Sequence, residues 1–208
     1  MALKQSRPPA LAPSRAARLL CPHCGLCCNG VLFGDVRLQP GDDPQHLAQL
    51  GLTLVGEPSR PRFRQPCSCF DGRFCRIYAD RPERCRTFVC GLLRRLQTGR
   101  ISLAEARRIT ARARQYWTQV LETLRAAGDP APHLPLSRRV ARALAQPLDL
   151  ADPRAQTTRR QLLLTMGRLA QTLQRYFLST PSSPRSSTTG SSTRPGQTKP
   201  SDRSPSPA

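Results

Sequence analysis

Two runs of cysteine, Cys21-x2-Cys24-x2-Cys27-Cys28 and Cys67-x7-Cys75-x9-Cys85-x4-Cys90, are the residues of this chain best equipped for chemistry. Thiolates spaced this closely ligate a soft cation or an iron–sulfur cluster, because a Cys-x2-Cys turn brings two sulfurs toward one centre. Gly25 follows Cys24 and supplies the backbone freedom such a knuckle needs. Eight thiolates satisfy two four-ligand centres, or one cluster with thiols in reserve. A ninth cysteine, Cys69, sits between Cys67 and Phe70 and reads as a buried or spare thiol. A disulfide scaffold is the weaker alternative, given the odd count and an opening stretch without the apolar segment of a secretory signal.

Helical geometry constrains how these sulfurs could be shared. In a helix, Cys21, Cys24 and Cys28 lie on one face and Cys27 about 100° away. Cys85 and Cys90 on a single helix point about 140° apart, so either that helix breaks near Gly91 or the two sulfurs serve different centres. Phe63, Phe70, Phe74, Ile77, Tyr78, Phe88 and Val89 are placed to form a shell that excludes water, and Arg76, Arg81 and Arg86 to offset thiolate charge. The bland alternative makes the same aromatics an ordinary small core and the arginines a solvated surface. A Cys/His nucleophile pair built from His23 beside Cys24, or from His46, is a weak alternative, because sequence neighbours make poor catalytic partners. His133 in a Pro-rich linker looks incidental. Phosphate-binding glycine loops, paired carboxylates and a His-Glu zinc-hydrolase helix are not found in the sequence. No catalytic residue is assigned, and enzyme activity is the minority reading.

The elements that must position the cysteines are mostly short before Cys90 and long after it. Val31 to Leu38 and Leu52 to Val55 suit strands, and Asp43-Pro44 opens a short helix that Gly51 ends. Arg60-Pro61 leads through an extended stretch to Cys67, and Pro82 starts a helix running through Cys85 toward Leu96. Ser102-Leu-Ala-Glu105 is a capping box, followed by Leu103, Ala106, Thr110, Ala113, Trp117, Val120 and Leu124 at helical spacing. Gly128-Asp129-Pro130 stops that helix. Ser137 is placed to cap a shorter one carrying Val140, Ala141 and Leu144. Asp152-Pro153 opens a long one with Ala155, Leu162, Met166, Leu169, Leu173 and Phe177 as its stripe. The fold class expected is α+β, mostly α: a small cysteine-rich, metal-stapled module with short strands, packed with a helical extension of about three helices. The expected organisation is a flexible basic arm at 1–20, the cysteine module at 21–95, a helical region at 96–178 and a disordered Ser/Thr/Pro-rich tail at 179–208.

Composition narrows the partners. The formal charge of +20 suits an acidic partner such as nucleic acid or an anionic surface, yet Lys4 and Lys199 are the sole lysines among 33 basic residues. Such arginine bias beside abundant Ala, Pro and Leu is equally well explained by a GC-rich coding sequence. Over 96–178 the surplus of arginine, including Arg107, Arg108, Arg112, Arg114, Arg159 and Arg160, is enough for salt-dependent phosphate contact. Neither zinc-finger spacing nor an aromatic stacking platform accompanies it, so nucleic-acid binding is an alternative. No segment reaches the roughly 18 apolar residues of a membrane span. Free thiols place the chain in the reducing cytoplasm.

The strings Cys21-Pro-His-Cys24-Gly-Leu-Cys27-Cys28 and Cys75-Arg-Ile-Tyr78-Ala-Asp-Arg81-Pro82-Glu-Arg-Cys85-Arg86-Thr-Phe88-Val-Cys90 resemble the YkgJ-type cysteine-cluster family, described as zinc- or iron-chelating. The resemblance covers about residues 21–95. It implies Cys21, Cys24, Cys27, Cys28, Cys67, Cys75, Cys85 and Cys90 as metal ligands, with zinc or iron, including an iron–sulfur cluster, as the cofactor. Cys69 stands where such sequences usually carry an apolar residue. Some flagellin lysine N-methylases are similar in carrying a related cluster, but the chain is too short for a separate methyltransferase domain and no S-adenosylmethionine loop is visible. The preferred expectation is therefore a metal-binding protein with a structural, redox-sensing or metal-sensing role and a helical region available to a protein partner. An iron–sulfur redox or group-transfer enzyme is the third alternative.

Overall fold

The computed structural model describes residues 8–178; the expected tail at 179–208 lies outside the described residues, as do residues 1–7. Helix α1 (Pro13–Cys24) carries Pro in its first turn, where the missing N–H costs nothing, and ends at Gly25 with φ of 70°. Residues 13–20 are therefore helical rather than part of a flexible arm. The helix holds because Ala16 and Leu20 are buried against the helical core, which outweighs the prolines around it.

Three short strands form one antiparallel sheet in the order β1 (Asp35–Arg37), β3 (Arg62–Arg64), β2 (Leu54–Val55). Phe63 pairs with both Val36 and Leu54 and is buried, while Arg62 and Arg64 point outward, the alternation a one-sided strand requires. Helix α2 (Pro44–Gln49) is capped as expected, the Asp43 carboxylate accepting the Gln45 and His46 amides at 2.9 and 3.0 Å. Leu47, Leu52, Phe63, Cys69 and Ile77 form the small core under this sheet.

The helix expected from Pro82 toward Leu96 is two helices. Helix α3 (Glu83–Thr87) stops at Phe88, which is extended, and α4 (Gly91–Gln97) begins with Cys90 as its N-cap. Helix α5 (Leu103–Ala126) starts at Ser102, whose hydroxyl accepts the Glu105 amide at 3.1 Å, and buries Ala106, Thr110, Ala113, Val120 and Leu124. Helix α6 (Leu136–Ala145) begins two residues earlier than expected, behind Pro135, so Ser137 lies inside it and does not cap it. Helix α7 (Pro153–Leu173), capped by Asp152, continues as a π-helical turn (Gln174–Leu178) that buries Phe177. Helices α1, α4, α5 and α7 share one large core containing Leu20, Leu92, Leu96, Leu124, Leu162 and Leu169. The fold is thus α+β and mostly α. No helix among the described residues is long and apolar enough to cross a membrane.

Two ion-pair and carbonyl contacts lock the helical part. Arg139 Nε lies 2.6 Å from Asp129 Oδ2 with both side chains almost fully buried. The Arg159 guanidinium donates to the carbonyls of Leu144 and Gln146 and so ties α7 to the end of α6.

Candidate metal centre

Cys21 and Cys24 stand one turn apart on α1, and the left-handed Gly25 turns the chain so that Cys27 and Cys28 follow outside the helix. The all-helical face joining Cys28 to Cys21 and Cys24 therefore does not form. Cys28 is instead drawn toward the second run: its carbonyl accepts the Cys67 amide at 2.8 Å. Cys75 enters through a β-bridge with Phe70, Cys85 from α3, and Cys90 from the start of α4.

All eight of these cysteines line one cavity of about 530 Å³. Cys69 does not; it is fully buried in the small core and its thiol faces the Leu50 carbonyl at 3.8 Å. Of the expected shell, Phe63, Phe70, Ile77, Tyr78 and Phe88 line the cavity. Phe74 and Val89 do not; Phe74 is partly exposed and meets the ring of His23 edge-on at 5.9 Å. Sequence reasoning missed Phe33, Arg84, Leu93 and Phe177, which also line it. Phe33 packs edge-on against Phe88 with ring centroids 4.9 Å apart. Nothing in the local sequence marks Phe177, which arrives from the far end of α7.

Arg81 is the one of the three expected charge-offsetting arginines on the cavity wall. Its guanidinium stacks 3.6 Å above the Tyr78 ring and its Nε donates to the Tyr78 carbonyl at 2.8 Å. Arg76 instead donates to the Ser68 carbonyl. Arg114, reaching from α5, donates to the carbonyls of His23, Cys24 and Gly72. Arg114 and Arg159 are thus engaged with backbone oxygens, which removes two arginines from the surface that a phosphate backbone would meet.

Burial dominates the electrostatics of the site. It pushes the Cys21 and Cys85 thiols up to about 11 and those of Cys24 and Cys67 to about 12, with neighbouring thiolates adding to the effect. Cys27, Cys28, Cys75 and Cys90 are raised for the same first reason. Without a cation these sulfurs are neutral thiols, because a buried thiolate has no solvent to stabilise it. Opposing that are backbone amides aimed at sulfur: those of Leu26, Cys69 and Ile77 beside Cys24, Cys67 and Cys75, and that of Leu93 at 3.4 Å from Cys90 Sγ. Gln65, also buried on this wall, has a side-chain oxygen with no protein partner.

This donor set fits a metal group in identity and surroundings: thiols, amide N–H groups directed at sulfur, and an apolar wall. Its spread matters as well. Four sulfurs on one zinc ion, each at about 2.3 Å, would stand about 3.8 Å from one another. Among the described residues, no three His, Cys, Asp or Glu side chains are gathered to hold a single ion. The thiols surround a volume rather than a point.

Residues 20–108, a little under half of the chain, match the family model CxxCxxCC, "Putative zinc- or iron-chelating domain". No curated protein and no solved structure matches the chain. All eight thiols that line the cavity lie inside the matched span, so the part of this chain that is similar to the CxxCxxCC family is the part that carries the candidate site.

Proposed function

We propose that this protein binds iron as an iron–sulfur centre through Cys21, Cys24, Cys27, Cys28, Cys67, Cys75, Cys85 and Cys90, in a redox- or metal-sensing role. The single observation that carries the reading is the set of eight thiols lining one apolar-walled cavity. A cluster spreads its cysteine ligands over two or more irons and so suits separated sulfurs. The apolar wall supports it too, since burial and hydrogen bonds to sulfur are what a protein uses to set a cluster's potential. Ligation by eight thiolates leaves no open coordination position for a substrate, which favours sensing or electron storage over turnover. In this reading the cysteine module at 21–95 holds the metal, the helical region at 96–178 braces it, and the reducing cytoplasm keeps the thiols free.

The test is purification without oxygen, followed by iron, zinc and acid-labile sulfide analysis and a visible spectrum. Iron and sulfide in equal amounts with a broad charge-transfer absorbance is the expected result. Zinc alone, with no colour after reconstitution with iron and sulfide, would replace the cluster by zinc ions. A folded chain that retains neither metal would end the chelation reading.

A further inference from the structure

We propose that the eight thiols form two separate four-thiol centres, Cys21, Cys24, Cys27 and Cys90 in one and Cys28, Cys67, Cys75 and Cys85 in the other. The inference rests on the metal-binding reading above and adds to the two-centre possibility the assignment of each thiol to its centre.

Packing separates the two sets. Cys21, Cys24 and Cys90 lie against the large helical core, where α1 packs on α4. Cys67, Cys75 and Cys85 lie against the small core beneath the sheet. Cys28 is joined to the second set through its carbonyl, which accepts the Cys67 amide. The pair that fell about 140° apart on a continuous helix, Cys85 and Cys90, is split by the extended residue Phe88 and faces two different cores.

Cys27 and Cys28 are neighbours in the turn that follows α1, and neighbouring side chains diverge, so the tie of Cys28 to Cys67 leaves Cys27 to the first set.

The order of the ligands has a chemical parallel, although Cys28 follows Cys27 directly where the ferredoxin run places three residues between. A Cys-x2-Cys-x2-Cys run that supplies three ligands to one cluster, takes its fourth from a remote cysteine, and sends its own next cysteine to a second cluster is the logic of two-cluster ferredoxins. Here Cys21, Cys24 and Cys27 are the run, Cys90 the remote ligand, and Cys28 the residue sent across.

The division is tested on the full chain reconstituted without oxygen with iron and sulfide, counting iron per folded chain. Three proteins are compared: the native sequence, Cys24→Ser with Cys90→Ser, and Cys67→Ser with Cys85→Ser. Each double variant is expected to keep about half the native iron and about half the visible absorbance, since each spares one complete set of four ligands. If either variant loses all its iron, or keeps all of it, the two-centre assignment is overturned. A native chain that takes up neither iron nor zinc instead removes the chelation reading itself, and the two failures are thereby distinguished. Should a variant fail to fold by circular dichroism, the native mass of the reconstituted unmodified chain decides. Two cluster-sized increments support the division, and a single increment refutes it.

Discussion

Gly25 offers the sharpest test of how the knuckle is built. Its φ of 70° lies in the left-handed region, where a side chain costs about 1–2 kcal/mol. A Cβ there would also stand 2.6 Å from Phe70 Cζ and 3.0 Å from its Cε2, on a ring that lines the cysteine cavity. Displacing that ring adds an overpacking cost of about 1–3 kcal/mol, so Gly25→Ala should destabilise the protein by about 2–5 kcal/mol in all. Gly128 provides a matched control. Its φ of 72° carries the same backbone strain, but no atom lies within 4 Å of the position its Cβ would take. Gly128→Ala is therefore expected to cost only about 1–2 kcal/mol. Urea unfolding of the metal-free forms measures both, and iron content after reconstitution should fall in the Gly25 variant alone. Equal losses of stability in the two variants would show that Phe70 yields freely, and the account of a tightly walled knuckle would be wrong.

Three further outcomes follow from the same geometry. The metal-free protein should lose stability as pH rises from about 9 through 11–12, because the folded state keeps protons on Cys21, Cys24, Cys67 and Cys85 that the unfolded chain releases near 9; flat stability across pH 8–10.5 in denaturant titrations would contradict the burial of these thiols. Asp129→Ala and Arg139→Ala should each cost about 3–5 kcal/mol, since either leaves a buried charge unpaired, and the double variant should cost less than their sum; simple additivity would refute the pairing. Cys69→Ala should leave the iron content unchanged while lowering stability modestly through the loss of a fully buried sulfur, and any drop in iron per folded chain would make Cys69 a ligand after all.

Much of this was legible in the chain because local chemistry declares itself. Asp43, Ser102 and Asp152 each cap the helix that follows, through carboxylate or hydroxyl contacts confined to three residues. The cysteine runs stand out on the same local grounds, and all eight of their thiols line one cavity. What stayed hidden depends on distant partners. Helix α1 has three prolines before or at its start and becomes helical because Ala16 and Leu20 meet a core supplied mainly from beyond residue 90. The break at Phe88 follows from the need to seat Cys90 as a helix cap, which no propensity scale records. Phe33 and Phe177 reach the cavity from opposite ends of the described chain, and Arg114 and Arg159 trade solvent for carbonyls that only folding brings near.

The position of Phe177 bears on where this protein could be cut. The residue belongs to the π-helical turn at Gln174–Leu178, seals part of the cavity that holds the thiols, and is buried in the same core as Leu92 and Leu93. A recombinant fragment trimmed to residues 20–108 would present those leucines to water and leave one side of the cysteine chamber unwalled. The shortest stretch expected to stay soluble and to keep the cysteine chamber closed therefore runs from α1 through Leu178. Expression trials that stop at the motif would be studying an open box.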